Sequence, residues 1–171
     1  MDHQQWEAYY QTLRELRSRA EAALQGGDPV TARRLAQELL TQNTDSTVWD
    51  YGNEVHAANQ IMGLAALQEG DTEAAKGYLL AAGETPGSPQ LDSFGPTMTL
   101  AQALLGRGES AVVLEYLDRV AQFWATPKPV GNIADVLGRR LASRNTRTLS
   151  CWKAAIRAGE APTLNRVARA A

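Results

Sequence analysis

Residues 61–83 read IMGLAALQEGDTEAAKGYLLAAG, two runs rich in Ala and Leu that meet at Gly70-Asp71. Ile61, Leu64 and Leu67 recur at steps of three, the spacing of one helical face. Glycine takes up the left-handed backbone that ends a helix without a steric penalty, and an aspartate directly after it caps the next one. The stretch therefore predicts a helix stopped by Gly70, a tight turn, and a second helix closing at Gly83.

The same order of residues recurs on both sides of it. Gly27-Asp28 and Gly108-Glu109 also follow apolar runs, and a small side chain stands five residues after each glycine, at Ala32, Ala75 and Val113. A short glycine-acid turn lets two helices pack antiparallel, and a small residue early in the second permits close approach. One such pair buries little apolar surface, whereas three stacked pairs share a core.

Upstream, Trp6, Tyr9, Tyr10, Leu13, Leu16, Ala20 and Leu24 predict a first helix up to Gly26-Gly27. Pro29 suits the first position of the second, which carries Leu35, Leu39 and Leu40 and ends near Gln42. Residues 45–47 are expected to cap the third, which runs through Trp49 and Val55. Downstream, residues 83–96, GETPGSPQLDSFGP, are too rich in proline and glycine for regular helix and predict a long connection, with Pro96 starting the next helix. Helix resumes from Met98, breaks at 106–108, and continues to Trp124. After a stop at 125–129, ATPKP, residues 132–144 and 146–158 read as two more helices, followed by a tail from Gly159 that frays. The expected fold class is all-α, an α-solenoid of antiparallel helical hairpins with about eight helices. Composition agrees: 28 Ala and 20 Leu stand against 12 Val and Ile together.

A chain of 171 residues fits one ordinary domain, divided here into a repeat region, 1–124, and a basic segment, 125–171. The net charge of −2 conceals that division. Residues 1–124 carry 8 basic and 17 acidic side chains, a net −9, and residues 125–171 carry 9 basic and 2 acidic, a net +7.

The glycine-acid grammar resembles the tetratricopeptide repeat family, most clearly at Met62-Gly63, Gly70-Asp71, Ala75, Leu79, Ala82 and Pro86. Ala20 and Ala101 stand where that family has a small residue in the first helix of a pair, and the turns lie 43 and 38 residues apart against the family's repeat of about 34. The resemblance covers roughly residues 10–124. It implies a concave groove lined by the first helix of each pair, which would place Arg14, Arg17, Glu21, Gln60, Leu64, Gln68, Met98 and Gln102 toward an extended or helical peptide. The long connection offers a second candidate face through Ser88, Gln90, Ser93 and Phe94, with Leu91 and Phe94 able to pin it to the helices. Arg139, Arg140, Arg144 and Arg147 form a third, a basic patch suited to an acidic surface on this chain, on a second copy or on a partner.

The signals for other chemistries are missing. No apolar run reaches the length that spans a bilayer, and the amino terminus has no basic start followed by an apolar stretch. The single Cys151, next to Trp152, is expected to be a buried small hydrophobe without an activating base. His56 has no carboxylate at helical spacing and is expected to be a partly exposed helical histidine. Neither phosphate-loop nor metal-loop spacings occur. Trp6, Tyr9, Tyr10, Trp49, Tyr51, Tyr78, Tyr116, Phe123 and Trp124 read as packing and interface anchors. The sequence thus points to a cytoplasmic protein-protein interaction module with no catalytic, metal or cofactor residues. The alternatives are an immunity or inhibitor protein that blocks a toxin or enzyme with its acidic half, and an adaptor that docks its basic helices on nucleic acid, against which the overall acidity argues.

Overall fold

The computed structural model describes residues 2–126 and 133–164, with the backbone alone for 133–138. Among these residues the chain is all-helical, with eight helices and no strand: α1 (His3–Gln25), α2 (Pro29–Gln42), α3 (Tyr51–Gln68), α4 (Thr72–Gly83), α5 (Pro89–Phe94), α6 (Thr99–Leu105), α7 (Ser110–Trp124) and α8 (Ile133–Arg157). None of them is long and apolar enough to cross a membrane.

The three glycine-acid turns share one hydrogen-bond pattern. Gly27, Gly70 and Gly108 have φ of 75°, 83° and 85°. In each turn the glycine amide donates to a carbonyl three residues back, and the acid's amide donates to one five residues back, as in Asp28 N to Ala23 O and Asp71 N to Ala66 O, both 2.9 Å. Asp28 and Asp71 then accept from the amides of Thr31 and Ala74 and so start α2 and α4. Glu109 precedes α7 without a capping side-chain bond. Ala32, Ala75 and Val113 are fully buried, as are Ala20 and Ala101 in the helices before the turns. A fourth turn of the same kind, Gly159-Glu160, ends α8, with Glu160 N donating to Ala155 O at 3.0 Å.

Four boundaries differ from those expected. Asp45 does not start α3; its carboxylate instead holds the Thr47 amide (2.9 Å) and hydroxyl (2.6 Å) in a local turn, and α3 begins after Asp50. The proline-rich connection contains a helix, α5, because Ser88 caps the Leu91 amide and Pro89 takes the first helical position. Pro96 precedes α6 by three residues and does not start it. The two helices expected over 132–158 are one: Thr146 and Thr148 bond back to the carbonyls of Ala142 and Arg144, and the buried Asn145 donates to Trp124 O at 2.8 Å, so nothing interrupts α8. The stop over 127–129, the helix start at Asn132, and Arg166 and Arg169 lie outside the described residues. The tail returns to the core as far as Leu164, which is 2% exposed.

Two apolar clusters meet at α3. Ala58, Ile61, Met62 and Ala65 pack with α1 and α2, while Ala66 and Leu67 pack with α4, α6, α7 and α8, and Tyr78 touches both clusters. Gly63 makes the junction with α6 close, since a Cβ there would fall on the Leu100 side chain.

Candidate functional site

With neighbours on several sides, α3 buries fourteen of its eighteen residues, among them Asn53, Glu54, His56, Asn59 and Gln60. A buried polar side chain carries a free-energy penalty unless its hydrogen bonds are made. Two of the five are spent on structure. Asn53 donates to Gln90 at 2.8 Å and accepts from the Ser88 hydroxyl, latching α5 to α3. Asn59 donates to the Val55 carbonyl within the helix at 2.8 Å.

The other three are half-satisfied. His56 Nδ1 lies 3.1 Å from the Ala82 carbonyl, whereas Nε2 has no partner. Gln60 Oε1 accepts from the Leu100 amide at 3.2 Å, whereas Nε2 has no partner. Glu54 Oε1 lies 3.4 Å from Arg17, whereas Oε2 has no partner. Burial pushes the Glu54 carboxyl above its usual pKa, with Arg17 opposing. Burial also pushes the His56 imidazole below its usual value, against the opposing pull of the Ala82 and Thr97 backbones, so the ring is neutral.

His56 and Gln60 line an open cleft of about 230 Å³ between α1, α3, α5 and residues 95–99. Its walls combine Leu24, Ile61, Leu64 and Leu91 with Arg17, Glu21 and Gln90. A shallower extension of about 320 Å³ shares Arg17, Glu21, Asn53 and Gln90 with it and adds Arg14, Trp49, Asp50 and Glu54. Two exposed aromatic side chains flank this trough, Trp49 at 60% and Phe94 at 61%. Phe94, Thr97 and Thr99 also border a cavity of about 570 Å³ that reaches the stacked Trp124 and Trp152 rings, whose centroids are 6.2 Å apart.

Of the groove residues expected from the sequence, Arg17, Glu21, Gln60 and Leu64 come together in the cleft, joined by Gln90 and Phe94 from the connection. Arg14 sits in the extension. The others lie elsewhere. Gln68 reaches the Leu24 carbonyl at the end of α1, and Met98 is core. Gln102 accepts the Leu164 amide at 2.6 Å, holding the tail. Ser88 is buried as a cap, not displayed on a loop face, and Ser93 is exposed outside the cleft lining. His56, expected to be partly exposed, is 3% exposed, because α4 and residues 95–99 close over it. Cys151, expected to be buried, is exposed: Leu149, Trp152 and Ile156 form the buried stripe of α8, and position 151 falls on the opposite side.

Sequence reading passed over Asn53, Glu54 and His56 as site residues. The signal was present: between positions 53 and 60 polar side chains alternate with Ala and Val, leaving no separate polar face for solvent.

The basic patch assembles on α8. Arg139, Arg140, Arg144 and Arg147 are exposed around Ser143 on one shallow surface, and none forms an ion pair among the described residues. Lys153, farther along, pairs with Asp118 of α7 at 2.8 Å.

Comparison with family models, with curated proteins and with solved structures finds no match for this chain.

Proposed function

We propose that this chain is a binding module of TPR-like helical-hairpin architecture, an α-solenoid that takes a segment of a partner protein into the cleft between α1, α3 and α5. One observation carries the reading. Glu54, His56 and Gln60 are each more than nine-tenths buried, and each leaves a polar atom without a partner beside an open, aromatic-flanked cleft. A bound segment that reached these three residues would supply hydrogen bonds that the fold leaves unmade. The mixture of apolar walls and polar floor suits a peptide better than a small polar substrate. The recurrent glycine-acid turns support the hairpin architecture.

The test is panning of a phage-displayed random peptide library, followed by affinity measurement on synthetic peptides. Enriched sequences should lose at least tenfold in affinity to Trp49→Ala and Phe94→Ala, substitutions of exposed side chains that leave the helices intact. They should bind normally to the Arg140→Glu/Arg144→Glu variant. Failure to enrich any sequence, or binding indifferent to both aromatic variants, overturns the reading.

A second reading has its own observation, the arginine face of α8 without counter-charges among the described residues. An acidic partner docked there would bind less tightly as salt rises and would be lost on reversal of Arg140 and Arg144. Nucleic acid in the same place would show a steep salt dependence and release by nuclease. The inhibitor alternative predicts one protein bound stoichiometrically through the acidic half, insensitive to the α8 variant.

A further inference from the structure

We infer that the outward face of α8 docks on the phosphate backbone of a double-stranded nucleic acid through Arg139, Arg140, Arg144 and Arg147. The inference rests on the second reading above, an acidic partner on the arginine face, and names its chemistry.

The four arginines are exposed around Ser143 on one shallow surface. At about 100° per residue they fall on the side of α8 away from its buried stripe, Ala142, Leu149, Trp152 and Ile156. Elsewhere the structure gives cations a counter-charge: Arg17, Arg33, Arg34, Lys76, Arg119 and Lys153 each pair with a carboxylate. None of the four has one among the described residues, and no Asp or Glu occurs between positions 139 and 157. Like charges three and four residues apart on a helix repel, so the face holds its charges together without relief from its own helix.

A second copy of the chain does not supply the missing anions. Its carboxylates are engaged already, Asp28 and Asp71 as caps and Glu21, Glu69, Glu84 and Glu115 in ion pairs. A protein partner draws affinity from an apolar or aromatic centre, with charges at the rim. The arginine face has no such centre: Trp152 is buried, and Leu141, at 37% exposure, stands at the edge of the buried stripe. Phosphate binding needs none, because its affinity comes from cations that displace condensed counterions. The planar guanidinium fork matches two phosphate oxygens at once, and the exposed Ser143 can add a hydroxyl donor. From Arg139 to Arg147 the helix rises about 12 Å, a length over which a duplex presents about three or four phosphates on each strand. A single strand would want exposed aromatic rings on which its bases stack, and this face has none. The acidity of the whole chain does not cancel the local field. Asp118, on the adjoining α7, is held by Lys153 at 2.8 Å, and charges farther off than about 8 Å are screened at physiological salt.

The experiment is fluorescence anisotropy of a labelled DNA duplex of about 20 base pairs, titrated with the full chain between about 50 and 200 mM salt. Binding should be micromolar at the low end, and log K should fall against log salt with a slope of about −3 to −4, for up to four phosphates neutralised. Arg140→Glu/Arg144→Glu should weaken binding at least tenfold with the far-ultraviolet helical spectrum unchanged. If that variant does not fold, Arg140→Gln/Arg144→Gln should lower the slope by about two. Labelled polyglutamate, which offers carboxylates in place of phosphates, should bind at least fivefold more weakly than the duplex. Polyglutamate bound as tightly as the duplex overturns the phosphate assignment and leaves the acidic-partner reading standing. Binding of neither polymer at low salt overturns both. Duplex binding that is indifferent to salt or to the arginine variants overturns the inference, as does a preference for the single strand.

Discussion

On α8 the buried residues Ala142, Asn145, Leu149, Trp152 and Ile156 fall at steps of three and four, and the arginines point away from them; α3 is enclosed on nearly every side and carries polar residues inside. The contrast separates two uses of a helix. A one-sided helix such as α8 buys stability from its apolar stripe and tolerates almost any polar residue outside it. An enclosed helix has no outside, so each polar residue on it must find a partner within the protein or wait for one from elsewhere. On α3, Asn53 and Asn59 have found theirs, and Glu54, His56 and Gln60 have found a partner for one of their two polar atoms only.

The sharpest break in that contrast comes from steric room. At Gly52, in the first turn of α3, a Cβ would fall on the Gly87 carbonyl and the Thr85 side chain, and backbone is costly to displace. Gly52→Ala should therefore destabilise by about 3 kcal/mol, which lowers the Tm of a domain of this size by roughly 6–12 °C. The matching change on the outside of α8, Cys151→Ala, should move it by about 1 °C or less, and calorimetric scans of the two variants decide the point.

Next comes the one polar residue that α8 does bury. Asn145→Ala leaves the Trp124 carbonyl without its donor and should cost about 2 kcal/mol, read from urea unfolding at constant m. A loss below about 0.5 kcal/mol would mean that water replaces the amide and that α8 is less closely fitted than described.

The charges on α3 predict opposite responses to pH. The folded-state pKa of His56 lies below its unfolded value, so its contribution is present above about 6.5 and lost as pH falls from there toward the folded value. The slope within that window is at most about 1.4 kcal/mol per pH unit, and His56→Phe should remove it. The folded-state pKa of Glu54 lies above its unfolded value, so its contribution is present at acid pH and lost as pH rises through the folded value. Glu54→Gln should accordingly raise the Tm at pH 7, with the gain shrinking to nothing below the carboxylate range. A variant destabilised at every pH would place the Arg17 ion pair above burial in importance. The smallest effect belongs to α8 again: Arg140→Glu/Arg144→Glu should change stability by less than about 0.5 kcal/mol.

How much of this was legible in the sequence follows the same division. Glycine-acid turns act over five or six residues, so Gly27, Gly70 and Gly108 marked their helix pairs without knowledge of anything distant. Gly159 marked a fourth turn that went unread because no long apolar helix pattern follows it. The α5 helix was hidden because its Ser88 cap is held by Asn53, thirty-five residues away. Part of the cleft wall, Arg17, Glu21, Gln60 and Leu64, was legible as first-helix positions. Its floor was not, because His56 looks like a surface residue until α4 and residues 95–99 close over it.

The most direct measurement places a benzoylphenylalanine at successive positions of a library-selected peptide, cross-links it to the full chain under light, and maps the attachment by mass spectrometry. Attachment within residues 49–64 and 90–99 is the expected result. Attachment confined to the arginine face of α8, with the cleft untouched, would contradict the assignment of α3 as the binding helix.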